Sequence, residues 1–402
     1  MIEKKKILTK QEPEKAILVG VCTREMDFLQ AEEYLDELAF LAQTAGALTV
    51  QTFIQRLDRP HNATYVGKGK LEEIALAVEE NEADLVIFDD DLSPSQIRNL
   101  DKAFGIKVLD RSSLILHIFM ERAKTAQAKA QVELANYQYL LPRLTGMWTH
   151  LSRQKGGIGL KGAGEKEIET DRRIIREKIT HLKRQLVKID RQDTTRRKNR
   201  SQYVRVALVG YTNVGKSTLM NRITKANVLA EDKLFATLDT TVRRTALKGI
   251  PFLLSDTVGF IRKLPHHLVE SFKSTLAEAQ ESDILVHVVD ASNPNCEEHM
   301  ENVKETLKSL GIEDKLIFTV FNKIDLLDDA QRKHLEESYV KKANVPAVCI
   351  SAHSKLNLDE LRGMLVEFLV KGYTRKQYNG TPHPFLEQYQ YFKMAEEMAN
   401  EG

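Results

Sequence analysis

Three patterns of apolar positions follow one another along the chain. From Lys15 to about Asp110, short apolar runs alternate with amphipathic stretches. The runs AILVGV (16–21), ALTVQTFI (47–54), ADLVIFDD (83–90) and IKVLD (106–110) predict β-strands. The segments FLQAEEYLDELAFLAQTAG, GKLEEIALAVEEN and SPSQIRNLDKAFG lie between them and predict helices. Gly46 stops the first helix, and Ser93 or Ser95 caps the third. Strands alternating with helices imply a small α/β domain on a mainly parallel sheet.

From Ser112 to about Arg200 the period is helical throughout. Phe119, Ala123, Ala126, Ala130, Leu134, Tyr137 and Leu141 form one stripe, which Pro142 ends. Ile168, Ile175, Ile179, Leu182, Leu186 and Ile189 form a second stripe at heptad-like spacing. Two such helices predict a long antiparallel hairpin. From Tyr203 to about Val370 strands and helices alternate again, and a polar tail with scattered aromatics follows. The expected organisation is a small α/β domain (1–110), a helical arm (111–200), a second α/β domain (201–370) and a tail (371–402).

Composition narrows the class. Of 402 residues, 42% are hydrophobic and 29% charged, a balance that excludes a wholly disordered or fibrous chain. No apolar run approaches the ~18 residues of a membrane span. No apolar run of signal-peptide length follows the basic N-terminus. The three cysteines, Cys22, Cys296 and Cys349, are far apart, so neither a disulfide framework nor a zinc ribbon is expected. The expectation is a cytoplasmic monomer. The net charge of +2 conceals a segregation: residues 151–200 carry sixteen Lys and Arg against seven Asp and Glu. A basic block inside an acidic remainder points to a polyanionic partner at one place.

The hairpin tip, residues 145–164, holds the chain's only tryptophan, Trp148, and five of its 20 glycines fall between Gly156 and Gly164. So many glycines argue against regular helix. Arg153, Lys155 and Lys161 can meet phosphate, Gly156 and Gly157 allow close backbone approach, and the Trp148 indole can stack on a base. RNA contact through this tip is the expectation. A second glycine motif, GKGK (67–70), stands at a strand-to-helix turn that could hold a phosphate on the helix N-terminus, although a plain glycine-containing connection is the expectation.

The chemistry lies in the third region. YVRVALVG (203–210) leads into GYTNVGKST, which matches G-x-x-x-x-G-K-S/T between a strand and a helix. Amides from Gly210, Tyr211, Thr212, Asn213, Val214, Gly215 and Thr218 are expected to wrap phosphates. Lys216 would bridge the β and γ groups and Ser217 would ligate Mg2+. Downstream, Asn322-Lys323-Ile324-Asp325 follows an apolar strand. A carboxylate at Asp325 accepts from guanine N1–H and the 2-amine. Adenine lacks both donors, a mismatch worth about 10⁴-fold. Asn322 would support the loop, the Lys323 stem would cover the ring, and Ser351-Ala352-His353 would bring an amide to the guanine O6. GTP and GDP are thus the expected ligands. FLLSDTVGF (252–260) supplies Asp256, Thr257, Val258 and Gly259 at a strand end, with the Gly259 amide placed to sense a γ-phosphate. LFATLDTTVRR (234–244) supplies Phe235, Ala236, Thr237, Leu238 and Asp239. Thr237 is the expected switch threonine and second metal ligand, with Thr240 and Thr241 as alternatives. Lys216, Thr237 and Gly259 would serve hydrolysis, which makes the region a Ras-like P-loop GTPase domain.

These elements resemble translation-factor-related small GTPases. The run GGIGLKGAGEKEIETDRR (156–173), followed by GYTNVGKST, FATLD, DTVGFIRKLPHHLVESFKSTLAEA and NKIDL, resembles the HflX family within the Obg-HflX-like superfamily. The resemblance implies a GTPase that binds the large ribosomal subunit and its rRNA. It implies an arm directed toward the peptidyl-transferase region, and a role in splitting stalled ribosomes that contributes to antibiotic tolerance in some relatives. Where many GTPases place a water-orienting glutamine after the DxxG glycine, this chain has Phe260. Slow intrinsic hydrolysis stimulated by the ribosome is therefore expected, with His266 and His267 nearby in sequence as exposed switch residues. The alternative is a nucleotide-modulated RNA-binding chaperone acting in subunit assembly.

Overall fold

The computed structural model describes residues 12–24, 26–144, 163–198, 202–224, 234–235, 240–263, 277–312, 314–341, 345–376, 383–387, 389–390 and 393. Within 163–168 and 193–198 only the backbone is described. The chain divides into two compact units, one of Met1–Ile118 with Asn136–Ile179 and one of Phe119–Ala135 with Thr180–Gly402.

The first unit holds β1 (Lys15–Cys22), α1 (Phe28–Thr44), β2 (Leu48–Arg56), α2 (Lys68–Glu80), β3 (Leu85–Phe88), α3 (Pro94–Phe104) and β4 (Lys107–Asp110). Its sheet runs β2-β1-β3-β4 with every pair parallel. Both faces of a parallel sheet are covered, and the central β1 is accordingly apolar and buried beyond its first residue. Ser93, not Ser95, caps α3. Its hydroxyl accepts from the Gln96 amide at 3.3 Å, and Gln96 Oε1 accepts from the Ser93 amide at 2.9 Å. Pro94 at the first helical position and Gln96 at the third explain the choice. The GKGK turn is a packed connection at its first residue, because the Gly67 amide donates to Gln55 Oε1 at 2.8 Å.

The helical region departs from expectation in two places. The single helix expected through 112–141 is two helices, α4 (Arg111–Arg122) and α5 (Ala126–Leu140). Thr125 restarts the chain: its hydroxyl accepts from the Ala128 amide at 3.1 Å and competes with continuation of the helix. The break shifts the phase of the stripe, so Ala126 is exposed whereas Ala128, Gln131 and Ala135 are buried. The second long helix, α6, spans Ala163–Lys198. Gly164, expected in the glycine-rich tip, therefore belongs to helix. Along its expected stripe Leu182 is buried and Ile175, Ile179, Leu186 and Ile189 are half-buried, while the Ile168 side chain lies outside the described residues. Within the first unit Lys178 Nζ donates to the Tyr137 hydroxyl at 2.7 Å and brings α6 beside the end of α5.

The second unit contains β5 (Val204–Val209), α7 (Lys216–Thr224), β6 (Thr241–Leu247), β7 (Ile250–Asp256), β8 (Ile284–Asp290), α8 (Cys296–Ser309), β9 (Leu316–Asn322), α9 (Asp329–Leu335), β10 (Ala347–Cys349) and α10 (Leu358–Arg375). The six strands are ordered β10-β9-β8-β5-β7-β6, and only β6 runs antiparallel to its neighbour. α10 continues past Val370, and the buried Tyr373 ties it to the sheet. The Tyr373 hydroxyl accepts from the Val204 amide at 3.1 Å and donates to the Pro251 carbonyl at 2.5 Å. His383 and Phe385 pack on its ring at 4.7 and 5.6 Å, so part of the tail folds back onto this unit. Among the described residues no helix is long and apolar enough to cross a membrane.

Replacing Tyr373 by Phe leaves two buried backbone groups without their partner. Thermal or urea unfolding of the variant should show a loss of about 1–3 kcal/mol in this unit.

Candidate nucleotide site

The site lies where the carboxyl ends of β5, β7, β8 and β9 meet, the usual crevice of an open parallel sheet. β5 ends at Val209 and α7 begins at Lys216, so residues 210–215 form a tight loop at the N-terminus of a helix. Such a helix start presents free amides and the positive end of the helix dipole. Asn213 adopts φ +59° within the loop. Lys216 is buried and turns back over it, donating to the carbonyls of Gly210 at 3.1 Å and Tyr211 at 2.6 Å. Burial pulls its ammonium down to about 8, while the Asp256 carboxylate opposes that shift. The next residue, Ser217, donates its hydroxyl to Asp256 Oδ2 at 2.6 Å.

Asp256 closes β7, and the chain continues as Thr257-Val258-Gly259-Phe260 against the loop. Thr257 is buried with its hydroxyl donated to the Leu208 carbonyl at 2.7 Å, so that side chain anchors the segment. Phe260 is also buried: its amide donates to the Gly210 carbonyl at 3.1 Å, and its carbonyl accepts from the Thr212 amide at 2.7 Å. Gly259 is squeezed between these bonds. A Cβ there would lie 2.8 Å from Thr212 Cα and 3.0 Å from Lys216 Nζ. Glycine is required because backbone and lysine approach too closely for any side chain.

Asn322 at the tip of β9 joins the loop to the rest of the site. Its Nδ2 donates to the Val214 carbonyl at 2.8 Å, and its Oδ1 accepts from the Ala352 amide at 2.9 Å. A Cβ on Gly215, whose φ is +93°, would stand 2.4 Å from Asn322 Nδ2. That glycine therefore serves the asparagine as well as the turn. Lys323 adopts φ +66° and pairs with Asp290 Oδ2 at 2.7 Å. Ser351 is fully buried, and its hydroxyl accepts from the Ser354 amide at 2.9 Å. The Ser351 hydroxyl holds the Asp325 carboxyl below the usual carboxylate range, partly offset by desolvation. Asp325 Oδ1 is shielded from solvent and makes no hydrogen bond among the described residues. An unsatisfied acceptor at this point suits a ligand that presents donors.

Residues outside the linear motifs complete the frame. Arg222, two turns into the helix after the loop, donates through Nε to the Ala352 carbonyl at 2.9 Å and through Nη2 to His353 at 3.3 Å. Tyr211 stacks on His299 with centroids 3.8 Å apart, and its hydroxyl accepts from the Arg262 amide at 2.7 Å. Asp290 was readable only as a strand end. Nothing in the one-dimensional pattern separates Arg222 from an ordinary exposed helix arginine.

The structure thus gathers Gly210 to Thr218, Asp256 to Gly259, Asn322 to Asp325 and Ser351 to His353 around one crevice. Phe235 is buried in its own unit, edge-to-face on Phe119 at 4.6 Å, with φ +53°. Ala236, Thr237, Leu238 and Asp239 lie outside the described residues, as do His266 and His267 and the tip residues Trp148, Arg153, Lys155, Gly156, Gly157 and Lys161. The alternative Thr241 begins β6, in ladder register with Asp256.

A phosphate-cradling loop, a buried lysine and an asparagine-held base loop on a six-stranded sheet define a P-loop GTPase. Residues 32–120 match the GTP-binding GTPase N-terminal family, 122–200 the GTP-binding GTPase middle region, and 205–323 the 50S ribosome-binding GTPase family. The chain is 50% identical to the GTPase HflX of Flavobacterium psychrophilum over 392 residues, covering 93% of this chain and 95% of the relative. It is 42% identical to the GTPase HflX of Escherichia coli K12, covering 89% of this chain and 83% of that one. Among solved structures it is similar to SsGBP in complex with GDP, at 25% identity and a TM-score of 0.52, covering 89% of this chain and 99% of that one. The chain belongs to the HflX family of GTPases, enzymes that hydrolyse GTP.

Asn322→Ala removes both bonds that tie the loop to residue 352 and leaves a buried carbonyl and amide unpaired. Titration with a fluorescent GDP analogue should show affinity reduced by about 10- to 100-fold.

Proposed function

We propose that this GTPase uses its nucleotide state to bind the large ribosomal subunit and to split stalled or stressed ribosomes in the cytoplasm. The observation that carries the reading is the basic, glycine-rich stretch within 151–200. It is attached to a domain whose family is described as 50S ribosome-binding. We read the chain as the four segments its pattern suggests, with 111–200 as an arm directed to rRNA and 201–370 as the switch.

The chemistry follows from the crevice. Amides of residues 210–218 take the α- and β-phosphates. Lys216 exchanges the Gly210 and Tyr211 carbonyls for β- and γ-phosphate oxygens. Because phosphate brings negative charge, bound nucleotide favours the ammonium form that burial disfavours. Gly259 lies against Lys216 and Thr212, so a γ-phosphate held by Lys216 meets the Gly259 amide. Asp325 Oδ1 receives the guanine donors and Asn322 holds the loop; the Ala352 amide, expected at the guanine O6, is instead donated to Asn322 Oδ1 at 2.9 Å.

The donors around Ser217 suit Mg2+. A hydroxyl and a carboxylate 2.6 Å apart are hard oxygen ligands. Among the described residues no group of three His, Cys, Asp or Glu preforms a metal site, as expected for an ion that takes most ligands from water and phosphate. Ser217 and Thr237 would hold it, with Asp256 behind them. When bound, it neutralises charge developing between the β- and γ-phosphates.

Phe260 offers no hydrogen bond to an attacking water, and burial against the loop keeps it from moving aside. Intrinsic hydrolysis is therefore slow, and the ribosome supplies or orders the missing positioning group. GTP orders the segments around Thr237 and Gly259, ribosome contact speeds turnover, and the GDP form releases.

Two measurements test this. Asp325→Asn inverts the donor pattern at the base and should shift preference from GTP to xanthosine triphosphate. Unchanged preference overturns the base assignment. Sedimentation of purified ribosomes with the protein and a non-hydrolysable GTP analogue should convert whole ribosomes to subunits. Deletion of 156–164 should abolish that conversion and spare nucleotide binding. Whole ribosomes persisting at saturating protein would refute the splitting function.

A further inference from the structure

Below the nucleotide crevice, on one face of the same sheet, lies a cavity of about 590 Å³. Its floor is a row of side chains fixed by strand register: His287 of β8 stands beside Thr319 of β9, and Thr319 beside Ala347 of β10. Leu285 and Ile317 form the next row. Thr319 and Ala347 are small, and this leaves the space open. One wall is a stripe of α8, where Met300, Val303 and Leu307 recur at spacings of three and four. The opposite wall is Tyr339 and Val345. The volume lies in the range of about 300–1,000 Å³ typical of small-molecule sites.

Two features separate this cavity from a packing defect. His287 is 7% exposed, and it lines the cavity beside Thr319, so the floor carries an imidazole and a hydroxyl side by side. Burial, with a smaller contribution from Lys216, holds the imidazole near pH 4. The ring is therefore neutral, with one nitrogen to donate and one to accept. A ligand that reaches this row can therefore exchange hydrogen bonds with both the imidazole and the Thr319 hydroxyl. The lining also carries three lysines against one glutamate. Lys304 pairs with Glu301, and Lys315 is spent on the carbonyls of Gln280 and Ser282. Lys308 is exposed and has no ion pair among the described residues.

We propose that this cavity binds a small amphipathic organic anion, with an apolar ring body between α8 and the sheet, a polar edge on His287 and Thr319, and its charged group at Lys308. The site is separate from the nucleotide crevice and does not depend on the ribosomal reading.

The probe is 8-anilinonaphthalene-1-sulfonate, which combines a fused apolar ring with a single anionic group. The full-length, GDP-loaded protein is titrated while dye fluorescence and the imidazole signal of His287 are followed by NMR on histidine-labelled protein. The His287 signal is assigned by its loss in His287→Gln. One saturable site is expected, with a shift of the His287 resonance at the same midpoint. Lys308→Glu should weaken the dye roughly tenfold and leave GDP affinity unchanged. Ile317→Trp, which fills the floor, should remove the site. If that variant does not fold, the wild-type resonance still decides. Dye binding that leaves His287 unmoved, absence of saturable binding, or undiminished affinity in Lys308→Glu would each overturn the proposal.

Discussion

One side chain holds the nucleotide site together. Asn322 donates to the Val214 carbonyl in the phosphate loop and accepts from the Ala352 amide in the base loop. These loops are separated by more than a hundred residues, and Asn322 bonds to both. Both bonds are buried, so breaking them leaves polar backbone groups in a medium that cannot hydrate them. Much of the local sequence follows from this requirement. Gly215 is a glycine because the amide of Asn322 occupies the space of its Cβ. Arg222 reinforces the arrangement from α7 by holding the carbonyls of Ala352 and His353.

The second constraint is electrostatic. Lys216 is buried among backbone carbonyls, and its charge is tolerated at the expense of its basicity. A buried ammonium with two carbonyl partners and one carboxylate nearby is poised for an anion, because phosphate oxygens are stronger acceptors than carbonyls. The segment after Asp256 lies so close to this lysine that only glycine fits at 259. Whatever moves Lys216 must therefore move Gly259. In the proposed mechanism that coupling would let a γ-phosphate be felt at the end of β7. Phe260 strengthens it, since its amide and carbonyl both bond to the loop. Phe260, at the position after the DxxG glycine, thus fastens this segment to the loop through its backbone.

The first unit obeys related physics with different content. Arg111 is buried where β4 passes into α4 and pairs with Asp89 at 2.6 Å and with Glu37. Arg143 reaches Asp110 at 3.2 Å and lies over the Tyr139 ring. A buried guanidinium must be paired to be tolerated, and its planar fork suits two carboxylates at once. These pairs fasten the start of the helical region to the carboxyl ends of β3 and β4. The interruption at Thr125 then lets α5 present a different face from the one a continuous helix would present.

Periodicity marked every strand of the first sheet and the long helix α6 with its inner stripe, and residue type at fixed spacing marked the contiguous motifs at 210–218, 256–259 and 322–325. These are legible because backbone geometry repeats every two or 3.6 residues, and because phosphate and guanine recognition uses contiguous loops. The sequence did not show the break at Thr125, since a hydroxyl cap interrupts a helix without altering the apolar rhythm on either side. It did not single out Arg222, Tyr373 or the pairing of Asp290 with Lys323, because each works through a partner remote in the chain. The polar row of His287 and Thr319 was equally invisible, since it exists only where parallel strands in fixed register bring two polar residues side by side. Local chemistry is written along the chain, and its completion by distant groups is decided only when the sheet closes.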